Sequence, residues 1–229
     1  MFNRLAKGVG LLALCGTVFF LGCGGGGIGN KTNFRVMNAT PDQSSITVLL
    51  DGTAAASSIV YGSASSYAET NSGSRHLQAE PAASTTIFLD QTVNLAGGTS
   101  STAIIANDST TSSSIILTDD NTASTTTGNI KLRIVNAAPT IGTVDVYVLP
   151  SGTSINNTTP AINSLSFESS SDYLNLAAGT YSIVFTPHGS LFASFNTGDI
   201  SFNAGQNRTI VALNNLAGGF TIGTLKDLN

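Results

Sequence analysis

Beyond residue 30 the chain is built on alternation. Ile130-Lys131-Leu132-Arg133-Ile134 sets apolar against charged side chains at every second position, and Val144-Asp145-Val146-Tyr147-Val148 repeats the pattern. Successive side chains of a strand point to opposite faces, so a period of two predicts half-buried strands. Tyr181-Ser182-Ile183-Val184-Phe185 likewise places two aromatics and an aliphatic on one face. Turn formers separate these runs: Asp51-Gly52, Gly97-Gly98, Ala178-Gly179, Ala204-Gly205 and Gly218-Gly219. No stretch beyond residue 30 carries a sustained helical stripe with caps. Short strands punctuated in this way predict an antiparallel sandwich.

The pattern occurs twice. Phe34-Arg35-Val36-Met37-Asn38-Ala39-Thr40-Pro41 returns as Leu132-Arg133-Ile134-Val135-Asn136-Ala137-Ala138-Pro139. Ile46-Thr47-Val48 then matches Val144-Asp145-Val146, Tyr67 matches Tyr173, Pro81 matches Pro187, and Thr102-Ala103-Ile104 matches Thr209-Ile210-Val211. A period of about a hundred residues is that of a domain rather than a solenoid repeat. The expected fold class is all-β, with two tandem immunoglobulin-like antiparallel β-sandwich modules at residues 33–119 and 130–229. Residues 120–129 between them have almost no apolar surface and are expected to form an extended, Thr-rich linker with a separate core on either side.

The N-terminal segment is different in kind. Arg4 and Lys7 precede an apolar run over residues 9–21, and small residues follow, which is the layout of a secretory signal. Phe20-Leu21-Gly22-Cys23 resembles the lipobox of the bacterial lipoprotein signal. The resemblance implies a lipoprotein-type signal peptide at residues 1–22 and lipid attachment at Cys23. It also implies an exported protein, membrane-anchored on the periplasmic or extracellular side. Gly24, rather than Asp, favours the outer membrane where the source has one. Several acyl chains on one cysteine anchor durably where a single chain does not. Residues 23–32 are Gly-rich and read as a flexible tether. An ordinary signal peptide leaving a free thiol stays open. An uncleaved span is disfavoured, because the apolar run falls short of the roughly 20 residues a bilayer needs.

Charge and chemistry then narrow the function. Without the signal peptide the chain has seven basic and thirteen acidic side chains, a net charge of −6. The basic residues are scattered singly, so nucleic acid is not an expected partner. Cys15 leaves with the signal, so no intramolecular disulfide is expected. His76 and His188 have no His, Cys or carboxylate at ligand spacing, and no metal site is expected. With no Gly-x-Ser-x-Gly elbow and no Cys–His pair, neither catalytic residues nor a cofactor are expected. The ligand-binding candidates are Arg35 and Arg133 in the shared motif and Phe192 in an apolar loop. Alternation puts the heads of Arg35 and Arg133 in solvent, and puts Leu191, Ala193 and Phe195 on an inward strand face. Asn38 and Asn136 are expected to close their strands with Asx-turns, and Pro41 and Pro139 to end them.

The Phe/Leu-Arg-Val/Ile-x-Asn-Ala-x-Pro opening, with Val144-Asp145-Val146-Tyr147 after it in the second copy, resembles the bacterial domain-of-unknown-function family numbered 4397. The resemblance implies exported or cell-surface β-domains and carries no known activity. The first copy has Thr47 and Leu49 where the second has Asp145 and Tyr147, which argues against Asp145 as a required catalytic group. The expected function is a non-enzymatic cell-envelope lipoprotein with a structural or adhesive binding role. Its partners would be the membrane, through Cys23, and an envelope protein or glycan. The alternatives are an envelope glycan-acting enzyme or accessory carbohydrate-binding protein, and a solute-binding lipoprotein. Two small similar domains on a spacer do not suggest the cleft that a solute receptor needs.

Overall fold

A computed structural model of the chain describes residues 31–228. The signal segment, Cys23 and the Gly-rich stretch up to residue 30 lie outside the described residues. Lys31 and Thr32, expected in the tether, already form the first strand by pairing with Asn71 and Thr70. The first module comprises β1 (Lys31–Ala39), β2 (Ser45–Leu50), β3 (Thr53–Val60), β4 (Ala68–Asn71), β5 (Gly73–Pro81), β6 (Leu89–Leu95), β7 (Ser100–Ala106) and β8 (Ser113–Asp119). The second comprises β9 (Asn129–Asn136), β10 (Val144–Pro150), β11 (Ile162–Leu165), β12 (Ser169–Ser170), β13 (Leu174–Ala177), β14 (Gly179–Pro187), β15 (Phe195–Phe202), β16 (Asn207–Asn214) and β17 (Phe220–Leu228). No helix occurs among the described residues. The Asp51-Gly52 signal is realised as a tight hairpin turn, with both residues left-handed at φ 49° and 77°.

Each module has two sheets. In the first, β4-β1-β7-β8 faces β3-β2-β5-β6; in the second, β12-β9-β16-β17, with β13 also on β9, faces β11-β10-β14-β15. The sandwiches are not wholly antiparallel. β1 runs parallel to β7 and β9 parallel to β16, because the first and the penultimate long strand of each inner sheet start from the same end. Phe34, Val36, Ile46, Val48, Leu77 and Ile105 fill the first sandwich. Leu132, Ile134, Val146, Phe185, Ile210 and Phe202 fill the second.

A third core joins the modules. Met37, Ala39, Ile104, Ile115 and Leu117 from the first inner sheet pack with Val135, Ala137, Val211, Leu213 and Leu225 from the second. The two inner sheets therefore lie face to face, and the four sheets stack as outer, inner, inner, outer. This is why β1 is buried at every position from Phe34 to Ala39: one face serves its own sandwich, the other the partner module.

The intervening segment is not a free spacer. Asn207 Nδ2 donates to the carbonyls of Asp120 and Thr122, Lys131 Nζ donates to Asp120, and Ser124 Oγ to Asn175. The modules' strands point the same way. At one end lie Lys31, Asp120 and the start of β9. At the other, Tyr61 Oη donates to the Asn214 carbonyl and Ser113 Oγ to Glu168. We refer to these as the Lys31 end and the far end.

Candidate functional site

The shared Arg motif is a buried junction. Arg35 and Arg133 are each 4% exposed, so the outward placement that alternation suggests is corrected. Alternation assigns the face correctly, but a second module covers that face. Arg35 forms a salt bridge with Asp227, and Arg133 with Asp119, each crossing between modules. Arg35 Nε donates to Thr102 Oγ1 at 2.7 Å and Arg133 Nε to Thr209 Oγ1 at 2.9 Å. Arg35 Nη1 donates to the Lys226 carbonyl and Arg133 Nη1 to the Thr118 carbonyl, both at 2.9 Å. The guanidinium carbons stand 4.4 Å from the Tyr67 ring and 4.6 Å from the Tyr173 ring. Tyr67 Oη in turn donates to Asp119 and Tyr173 Oη to Asp227. Each of these arginine and tyrosine contacts has its counterpart from the other module, an approximate two-fold arrangement.

These groups offer no reactive chemistry. Each guanidinium bonds a carboxylate, a hydroxyl and a carbonyl, and each carboxylate accepts from an arginine and two hydroxyls, as burial of charge requires. Both heads are buried and turned onto acceptors of the other module, so Arg35 and Arg133 have a structural role at the junction. Asn38 and Asn136 do make the expected Asx-turns, accepting from Thr40 N and Ala138 N. Each also holds two carbonyls through Nδ2: Gln43 and Ile59 for Asn38, Gly142 and Leu165 for Asn136.

Phe192 is at the far end, in the turn between β14 and β15, and is 85% exposed, with Leu191 at 56%. Leu191 and Ala193 are exposed rather than inward, because β15 begins only at Phe195, which packs on Phe185. The base of the turn is clamped by Asp145, which the sequence comparison of the two copies weighed only as a catalytic group. Its carboxylate accepts from Gly189 N, Ser164 N and His188 Nδ1, each at 2.8 Å. Burial pushes this carboxyl up, but the hydrogen bonds from Gly189, His188 and Ser164 outweigh it and hold the group below the usual range. His76 pairs with exposed Asp90 at 2.6 Å. Among the described residues no group of three or more His, Cys, Asp or Glu is placed to hold a metal.

One cleft distinguishes the modules. At the edge of the first sandwich, Phe34, Leu50, Ala54, Ala68, Asp51 and Arg75 line an opening of about 350 Å³. Six residues before the shared prolines, Arg75 in β5 corresponds to Tyr181 in β14. Tyr181 closes its own edge by packing on Phe202 and donating to the Ala177 carbonyl.

A family model described as a domain of unknown function, DUF4397, matches residues 32–147 and 150–229. The chain belongs to this family. It carries two tandem copies of the family's domain, the first match continuing through β9 into β10. Comparison with curated proteins gave no match. Among solved structures, a family CBM26 carbohydrate-binding module of Eubacterium rectale Amy13K, in complex with maltoheptaose, aligns over 86% of this chain and 96% of its own. The identity is 9% and the TM-score 0.27. Streptococcal family 41 carbohydrate-binding modules align over 79% and 93%, at 9% identity and TM-score 0.26. A leucine-rich repeat protein of Bacteroides thetaiotaomicron aligns over 87% of this chain and 25% of its own, at 13% identity and TM-score 0.20. Likenesses this distant carry no functional argument, so the function of this family member has to be read from its own surface.

Proposed function

We propose that the chain is an exported, non-catalytic envelope protein, lipid-anchored at Cys23, whose joined modules hold a binding end away from the membrane. The observation that carries this reading is the polarity of the molecule. Val60, Ile87, Leu191, Phe192 and Leu216 are the exposed large hydrophobics of the described residues, and all five lie at the far end. All seven described lysines and arginines lie at the junction or toward the Lys31 end, where the described residues begin. The far-end turns carry Asp42, Asp108 and Glu168 and no Lys or Arg. An apolar, acid-rimmed end opposite the tether suits adhesion to a protein or glycan of the envelope better than contact with an anionic lipid surface. The non-catalytic reading is supported by the burial and mutual pairing of the junction charges, which serve the joint between the modules.

The test is binding of the mature protein to envelope fractions, wild type against Leu191→Ser/Phe192→Ser. The expected outcome is a several-fold loss of binding with an unchanged melting temperature. Equal binding by both proteins would sink the far-end reading. A glycan array run in parallel separates a saccharide partner from a protein one, and turnover of any saccharide would reverse the non-catalytic assignment.

A further inference from the structure

The junction is nearly symmetric in charge but asymmetric in shape. Met37 and Val135 each lie two residues beyond the junction arginine of their module; Ile115 and Gly223 each lie four before the junction aspartate. These are equivalent places on the two inner faces, and all the side chains there belong to the joining core. Gly223 has no side chain, and the Met37 methyl occupies the space where its Cβ would be. The Gly62 carbonyl stands 3.1 Å from that position and Leu213 Cδ1 3.4 Å, so the site admits nothing beyond the methionine tip. The first face therefore carries two large groups, Met37 and Ile115, and the second a small group and a void, Val135 and Gly223.

We infer that Met37 and Gly223 key the junction, so that a module accepts an unlike module and refuses a like one. The buried charges cannot make this choice. Each face carries one Arg, one Asp, one Thr and one Tyr at matching places, so two copies of one face could exchange Arg–Asp pairs around a two-fold axis. Shape decides instead. Two first modules would set Met37 against Ile115 twice, and overpacking is destabilising. Two second modules would set Val135 against Gly223 twice, leaving two cavities. Only the unlike pair places Met37 on Gly223 and Val135 with Ile115. For copies crowded on a membrane this directs each module to its own chain's partner, because specificity here is the difference between fits. The inference is independent of what the far end binds.

The same geometry states what should change the choice. Gly223→Ile blocks Met37 and gives the second module the Val–Ile combination already present at Val135 and Ile115. Second modules of two chains then fit one another, and the full-length mature Cys23→Ser protein should double its mass by light scattering. Met37→Val added to Gly223→Ile restores a Val–Ile fit at both places within one chain, with the Gly62 carbonyl giving by a few tenths of an ångström. The double variant should return to the wild-type monomer mass and recover most of the unfolding midpoint lost by Gly223→Ile. Should the single variant aggregate, that recovery still reports the keying. A soluble, monomeric Gly223→Ile protein would overturn the inference, as would a double variant that stays as associated as the single one.

Discussion

Arg35 and Asp227 are 192 residues apart and belong to different modules, yet they form a salt bridge closed to solvent. Arg133 and Asp119 return the same bond across the junction. Removing one partner strands the other as a buried charge, which typically costs about 3–5 kcal/mol. Arg133→Ala is therefore expected to lower the urea unfolding free energy by that order. A surface arginine would change it by about 0.5 kcal/mol or less. Arg133→Lys should rescue only part of the loss, since an ammonium cannot serve Asp119, Thr209 and the Thr118 carbonyl in one plane. A near-neutral Arg133→Ala in equilibrium unfolding would contradict the buried junction.

The tyrosines make the junction sensitive to alkali. For Tyr67, burial first and the Asp119 charge second push the hydroxyl far above its ordinary value. For Tyr173, burial leads; Arg133 pulls the other way, and Asp227 adds to the rise. A raised folded value means stability that is complete below the unfolded pKa of about 10 and is lost as pH climbs above it. Unfolding free energy is expected to fall steeply above about pH 10. Tyr67→Phe/Tyr173→Phe should start lower at neutral pH and decline less. Parallel alkaline slopes for the two proteins would count against this.

Much of the fold is legible in the sequence. The Asp51-Gly52 hairpin, the strand at Leu132-Arg133-Ile134 and the Asx-turn at Asn136 all follow from local chemistry. The junction is not, because it depends on what lies against a strand's second face. A signal was present: Ile104-Ile105, Ile134-Val135 and Ile210-Val211-Ala212-Leu213 are continuous apolar runs, which mark strands covered on both sides. Reading Arg133 by its neighbours Leu132 and Ile134 alone outweighs that signal. Leu191 and Ala193 are misassigned for the converse reason. Alternation over Leu191, Ala193 and Phe195 mimics a strand, while the Asp145 clamp that ends β14 at Pro187 comes from a residue over forty positions earlier.

That clamp gives an acid-side prediction. Asp145 is held below the ordinary carboxyl range, so its contribution is complete above its unfolded pKa of about 3.9 and is lost as pH falls through the folded value. Asp145→Asn is expected to lower stability near neutral pH and to flatten the acid decline. Hydrogen exchange at the Ser164 and Gly189 amides should speed up in this variant. Unchanged protection at both amides would show that the carboxylate does not hold the turn.

The last prediction separates frame from site within the shared motif. Asn136 is fully buried, and its side chain serves three backbone groups: the Ala138 N–H and the carbonyls of Gly142 and Leu165. Asn136→Ala leaves those groups unpaired away from water, at roughly 1–3 kcal/mol for each group truly orphaned. A loss of about 2–4 kcal/mol is expected if water recovers some of them. Asn136→Asp should fare little better, because a carboxylate accepts from Ala138 N–H but cannot donate to two carbonyls. Asn38→Ala should behave alike, since Asn38 serves Thr40, Gln43 and Ile59 in the same way. Binding by the far end should survive both substitutions at temperatures where the variants remain folded. If either variant keeps its unfolding midpoint but loses envelope binding, the motif is a binding site and the structural reading of Asn38 and Asn136 fails.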